Sequence, residues 1–305
     1  MRFGEVTIHP VNGHGPEDVV VDGEGRTYTG VDDGRILRLS PDGKRIDVLA
    51  DTGGRPLGLE LYGEDELLIC DARAGLLVVP LAGGTPSVLA TSALGLDFVF
   101  CNNAAVASDG TVYFTDSSRR FGIDNWRDDL IEQTAGGRLL RRAPDGSIDL
   151  LLDGLQFANG VALAPDESFV AVAETGACRV SRVSLSDGRA DVLVDGLWGF
   201  PDNISTGTDG LIWITQASPK VAALDVVRRL PAFVRAGVRR LPTALQPSPG
   251  REVGVLGVDA EGAVVRELRG EIDGFHMLVG VREWQGQLYF GSLEENAIAV
   301  TAAVG

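Results

Sequence analysis

The chain has 305 residues, 44% of them apolar and 40 of them glycine, with 43 acidic side chains against 27 basic ones for a formal net charge of −16. That length can bury a sizeable core, and the balance of apolar and charged residues excludes a disordered chain. The acidic excess excludes a nucleic-acid partner, whose phosphates need a basic footprint, and no apolar run approaches the ~18–20 residues of a membrane span.

In chain order, the first strand-like run, Gly4-Glu-Val-Thr-Ile-His-Pro, stands alone. After it one unit recurs: an apolar stretch, a turn built on an acidic residue and glycine, then a run rich in β-branched and aromatic residues. The copies span 15–31, 55–72, 100–117, 157–174, 200–216 and 276–293. Each reads as a β-hairpin, because Asp-Gly and Gln-Gly pairs tolerate the positive φ that tight turns require. Second pairs of strand-like runs follow at 35–50, 76–90, 138–154 and 179–196, and the fifth is displaced to 253–270. The sixth hairpin is followed by one strand only, 296–304. Six four-stranded units, the last completed by the N-terminal strand, predict a six-bladed β-propeller forming one domain over 1–305.

Two segments break the repeat, both between the second and third strands of a blade. One, near 119–137, lies in blade three; the other, about 218–251, lies in blade five. In the latter, Val226, Leu230, Phe233, Val234, Val238 and Leu241 recur at helical spacing among five arginines, and Pro231 splits the pattern into two short helices. The expected packing is a helical pair on the propeller surface, with contact to a membrane as the weaker alternative.

Aligning the six hairpins on their turns and stepping back seven residues gives equivalent positions: Glu17, Leu57, Asn102, Asn159, Asp202 and Leu278. Four of the six carry side-chain oxygens at the start of what would be the innermost strand, where one mouth of the central channel gathers them. Glu, Asp and Asn oxygens without His or Cys are the ligand chemistry of a hard cation, calcium before other divalent ions. His9, His14 and His276 show no zinc spacing. The competing reading is that these Asn and Asp residues only cap turns. Alternating strand directions place both insertions over the same mouth, so a lid lined by Leu230, Phe233 and Val234 is expected above the cation.

Cys70, Cys101 and Cys178 are odd in number and sit in apolar runs, which reads as buried free thiols. With no apolar core at the N-terminus to mark a signal peptide, the expected setting is the cytoplasm.

The residues that carry these features resemble the strictosidine synthase-like branch of six-bladed propellers. They are also similar to the paraoxonase/arylesterases and, more distantly, to the SMP-30/gluconolactonase/LRE-like family. The carriers are Gly15-Pro-Glu-Asp, Gly54-Arg-Pro-Leu-Gly-Leu, Asn102-Asn with Tyr113-Phe-Thr-Asp-Ser-Ser, Phe157-Ala-Asn-Gly, Pro201-Asp-Asn-Ile-Ser and Val281-Arg-Glu-Trp-Gln-Gly-Gln-Leu-Tyr-Phe-Gly-Ser-Leu. The resemblance implies a catalytic calcium held by Glu17, Asn102, Asn159, Asp202 and Asn203, and hydrolysis of lactones or esters. Three departures stand out. Leu57 occupies the place of a paraoxonase catalytic histidine. Met277 to Val281 offer no counterpart to the glutamate of plant strictosidine synthases. Asn102-Asn103 replaces an Asn-Asp pair whose Asp, with the residue matching Asp18, serves a second ion in paraoxonases.

The leading expectation is a calcium-dependent lactonase or arylesterase acting on a small lipophilic lactone or ester, with Glu17 and Asp202 as the catalytic carboxylates; Asp18 and His276 are further candidates for the general base. No Gly-x-Ser-x-Gly elbow supports a serine mechanism. The alternatives are a strictosidine synthase-like lyase or condensing enzyme, and a noncatalytic ligand-binding propeller with a structural calcium. Oligomeric state is left open by the sequence.

Overall fold

The computed structural model describes residues 1–242, 245–246 and 248–303. Thr243, Ala244 and Pro247 of the blade-five insertion, and Val304 and Gly305 at the chain end, lie outside the described residues. Six four-stranded antiparallel sheets form a propeller. Their innermost strands are Val20–Val21, Pro56–Tyr62, Cys101–Val106, Ala158–Leu163, Gly199–Thr206 and Leu278–Trp284. The sixth sheet is completed by the N-terminal strand Val6–Pro10, which pairs with Ala297–Ala302 in the register Thr7 to Val300 and His9 to Ile298. This is the ring closure the repeat count requires.

The hairpin turns take the form their sequence dictates. Gln285 and Gly286 both have positive φ (49° and 78°), as a two-residue hairpin turn demands, and Gly25, Gly110 and Gly210 lie in the same region. Blade four has no glycine there, and Glu167 adopts φ 55° instead. Acidic residues shape these turns: Asp109, Asp166 and Asp209 each accept the backbone N–H two residues on. The carboxylates thus fix turn geometry while keeping the rim charged and solvated.

The apolar strands pack blade against blade. One cluster joins Val161, Val170 and Val172 of blade four to Tyr113 and Leu139 of blade three. Another joins Trp213 and Val255 of blade five to Val281 and Phe290 of blade six. The three cysteines are buried and free, as expected from their apolar surroundings. No described helix is long and apolar enough to cross a membrane.

Both insertions fall where the repeat predicts them. The blade-three insertion forms α1 (Trp126–Glu132), and the blade-five insertion forms α2 (Ala222–Arg228) and α3 (Ala232–Arg239). Pro231 sits at the N-cap of α3, where its missing N–H costs nothing and its fixed φ starts the second helix. The two insertions lock together. Arg239 of α3 pairs with Glu132 at 2.7 Å and Asp128 at 3.3 Å on α1. Arg228 of α2 donates to the carbonyls of Leu130 and Gly176.

Candidate functional site

Five of the six inner strands break their ladder near the same place. In blade three, Cys101 pairs with Asp116 and Ala104 with Phe114, so three steps on the inner strand oppose two on its partner. The same extra residue occurs between Pro56 and Leu59, Ala158 and Val161, and Pro201 and Ile204, and a related irregularity lies between Leu278 and Gly280. A bulge leaves its residues unpaired and re-aims their side chains. The residues released are Leu57-Gly58, Asn102-Asn103, Asn159-Gly160 and Asp202-Asn203, which include four of the six register positions found from the turns; Glu17 precedes its short strand and Leu278 keeps its pairing with Ser292.

Tight packing between neighbouring inner strands explains two glycines in these pairs. A Cβ on Gly160 would lie 2.2 Å from the Ile204 amide nitrogen and 2.5 Å from the Asn203 Cα. A Cβ on Gly58 would lie 2.5 Å from the Asn103 Cα. The backbone that carries each polar pair therefore rests on a glycine of the preceding blade.

At the mouth so formed lies a cleft with about 840 Å³ of empty space, counting the open solvent at its opening. Glu17, Asn102, Asn159 and Asp202 line it together, with Leu57 taking the fifth register position. Its walls are otherwise largely apolar: Phe100, Phe157 and Phe200 from the strand starts, Ile123, Trp126 and Leu130 from the blade-three insertion, and Val221 and Leu224 at α2. Phe100 and Phe157 meet edge to face with centroids 5.4 Å apart. Phe157 holds a φ of 60°, an uncommon conformation for a bulky residue, and its ring is nonetheless buried in this wall.

The hydrogen bonds of the three asparagines share one pattern. Asn102 Nδ2 donates to Ser117 Oγ at 2.9 Å, Asn159 Nδ2 donates to Thr175 Oγ1 at 3.1 Å, and Asn203 Nδ2 donates to Glu17 Oε2 at 3.1 Å. Each amide is thereby held by its nitrogen, and each is almost fully buried. Asn102 Oδ1, Asn159 Oδ1 and Asn203 Oδ1 have no hydrogen-bond partner in the protein. A buried amide oxygen without a partner costs about 1–3 kcal/mol, so three at one mouth call for a cation or a hydrogen-bond donor.

The carboxylates carry the matching electrostatics. Burial, then the Asp202 and Asp18 carboxylates, push Glu17 well above the usual range, against the pull of Arg55. Burial raises Asp202 to about 7, with the Asp18 carboxylate adding to the rise. Asp202 is the less enclosed of the two. Like charges held together out of water are stabilised by protons or by a cation. Among the described residues no three His, Cys, Asp or Glu side chains gather as a metal cluster. The donor set is instead two carboxylates with three amide oxygens, a mixture suited to calcium's irregular oxygen cage.

The remaining candidates for the general base have other duties. Asp18 Oδ1 accepts from the Val19 amide, and its Oδ2 accepts from the Leu59 amide and from Asn103 Nδ2 at 3.2 Å. Asn103 Oδ1 in turn accepts from the Val161 amide at 2.9 Å. These two side chains tie blades one to four together below the mouth, although burial lifts Asp18 to about 6. His276 stands outside the cleft lining, its ring held between Glu295 and Glu294.

The expected lid differs from the observed one. Phe233 is 78% exposed and Leu230 38% exposed, and neither these nor Val234 lines the cleft. The apolar roof comes from Val221 and Leu224 and from the α1 region. Helical spacing identifies an apolar face but not its direction. Ser117 and Thr175, which orient the amides, and the glycines under them were missed. Their signals were in the sequence: a hydroxyl at the end of the second strand, and a glycine directly after the register position.

With this geometry in place, the comparisons with known proteins decide the lineage. The strictosidine synthase family model matches residues 102–187, and the strictosidine synthase-like N-terminal model matches residues 6–39. Protein STRICTOSIDINE SYNTHASE-LIKE 6 of Arabidopsis thaliana is 31% identical over 284 residues, covering 91% of this chain and 76% of its own length. The chain belongs to the strictosidine synthase-like family. Among solved structures it is similar to a gluconolactonase of Xanthomonas campestris, with a TM-score of 0.71 and 17% identity over 99% of this chain and 91% of that one. It is also similar to the calcium-binding protein regucalcin of Agrobacterium tumefaciens, with a TM-score of 0.67 and 14% identity over 99% and 94%. At these identities the structural likeness speaks for the propeller fold.

Proposed function

We propose that the chain is a calcium-dependent hydrolase of lipophilic lactones or esters. The observation that carries this reading is the trio of unpartnered, buried amide oxygens beside Glu17 and Asp202: Asn102 and Asn159 line the floor of the apolar cleft, and Asn203 donates to Glu17. Lactonase and calcium-binding relatives of the same fold support it.

In this reading Glu17, Asn102, Asn159, Asp202 and Asn203 would hold the ion. When bound, it would supply Lewis acidity toward a carbonyl oxygen and toward water. The protein's share is positional. Ser117 and Thr175 hold two amides with their oxygens presented, which makes the cage rigid before anything binds. Asparagine contributes oxygen without charge, so the two carboxylates would balance a divalent ion without overcompensating it. Glu17 and Asp202 are the carboxylates that line the cleft, and the proton taken from water would pass to one of them. Phe100, Trp126, Phe157 and Leu130 exclude bulk water and favour an apolar acyl or aryl group. A condensing enzyme of the strictosidine type gains no support at blade six, where Met277 and Val279 present apolar surface to the cleft.

Metal analysis of the purified protein, followed by a panel of aryl esters, γ- and δ-lactones and sugar lactones with and without chelator, tests this reading. The expected result is bound calcium, turnover of lipophilic members lost on chelation, and a loss of about 10²–10⁴-fold in Asp202→Ala with the fold intact. Turnover that survives chelation overturns the metal-dependent mechanism. Calcium bound without turnover of any member leaves the ion structural and overturns the hydrolase assignment.

A further inference from the structure

The blade-five insertion carries a surface that the cleft does not use. From Lys220 to Arg251 the sequence holds seven basic side chains and one acidic one, Asp225, in a chain whose totals are 27 basic and 43 acidic. On this stretch Val226, Leu230, Phe233 and Leu241 are exposed, Phe233 to 78%. Lys220, Arg229, Arg240 and Arg251 are exposed on it as well. The opposite side of the helices is fully engaged. Leu224 is buried and Val227 and Val238 pack on the core, while Arg228 and Arg239 hold α2 and α3 against the blade-three insertion.

A helix pair that had only to remain dissolved would turn polar residues outward. This one turns out large apolar side chains flanked by cations, the composition of helices that lie in the boundary of a lipid bilayer. We propose that this face docks the protein on an anionic bilayer, with Phe233 and Leu230 entering the headgroup region and Arg229 and Arg240 meeting lipid phosphates. The charge contrast selects this occupant and its orientation. The acidic remainder of the surface is repelled by an anionic membrane, so the insertion is the side that can approach. Symmetric pairing of two copies through the same face would set its cations against each other.

The experiment is co-sedimentation of the full chain with vesicles of phosphatidylcholine alone and of phosphatidylcholine mixed with phosphatidylserine in equal parts, at low and raised salt. Binding to the mixed vesicles is expected, with weak binding to the neutral ones and loss as salt rises. Arg229→Glu with Arg240→Glu should abolish it, since removal of each cation alone weakens it about fivefold. Phe233→Ser should weaken binding at every salt concentration. These positions are exposed, so melting curves of the variants should match the parent and separate lost docking from lost folding. No binding to the mixed vesicles, or binding that survives both sets of substitutions, overturns the proposal. A concentration-dependent dimer that Phe233→Ser dissolves, without vesicle binding, assigns the face to a second copy and overturns it equally.

Discussion

Asn159→Leu separates a metal ligand from a structural asparagine, because the two roles predict opposite signs in the absence of calcium. The side chain is buried, its Nδ2 donates to Thr175 Oγ1 at 3.1 Å, and its Oδ1 has no protein partner. Leucine keeps the branch at Cγ while removing both polar atoms. The hydrogen bond lost is worth about 1 kcal/mol, and the unpartnered oxygen removed had cost about 1–3 kcal/mol. Thr175 Oγ1 keeps its own donation to the Pro201 carbonyl at 2.7 Å, so no buried donor is stranded. In chelator the variant should therefore match the parent or melt up to roughly 4 °C higher, taking about 2 °C per kcal/mol for a chain of this size.

With calcium the order should reverse. An ion at a hundredfold excess over its Kd stabilises the parent by about 2.7 kcal/mol, or roughly 5 °C. The variant, lacking one ligand oxygen, should gain little of this at the same concentration. Differential scanning calorimetry of both proteins in chelator and in calcium reads all four values. If Asn159→Leu melts below the parent in chelator and both proteins gain the same increment from calcium, the amide serves the fold alone and the assignment of the trio fails.

The metal-free protein should become more stable as pH falls from about 8 to about 5, contrary to ordinary acid denaturation. Asp202 lies at about 7, Asp18 at about 6, and Glu17 is raised well above its usual value. A carboxyl whose folded pKa exceeds its unfolded one binds more protons when folded, so protonation favours the native state between the two values. Urea unfolding in chelator checks the slope; calcium should flatten it by replacing the protons, and a flat chelator curve would refute the upward shift of these buried carboxyls. Gly160→Ala should cost about 1–3 kcal/mol and lower calcium affinity, because its Cβ would press on the Ile204 and Asn203 backbone. Gly23→Ala, which would meet nothing within 4 Å, is the control. Equal calcium affinities in the two variants would show that the strand contact does not position Asn203.

The propeller was legible because its blades repeat the same turn chemistry, and a fixed offset from each turn maps onto a fixed height along the channel. That offset reached Asn102, Asn159 and Asp202 because their inner strands contain the same break in the ladder, so the extra residue shifts each copy alike, and it reached Glu17 just ahead of the short strand Val20–Val21. The break itself was hidden: nothing in alternation alone distinguishes Asn159-Gly160 from two ordinary strand residues. Its physical requirement was nevertheless written in the pairs, since Leu57-Gly58 and Asn159-Gly160 place glycine where the next blade presses closest. The insertions were legible only in part, for a different reason. Their position follows from strand direction, which the repeat fixes, whereas the facing of a short helix depends on neighbours that the repeat does not include. Val238 packs on the core and Phe233 turns outward to solvent although both belong to one apolar periodicity. What settles the direction is the set of long-range anchors, Arg239 on Asp128 and Glu132 and Arg228 on the Leu130 carbonyl. Those pairs span about a hundred residues of sequence, and only the closed ring brings them together.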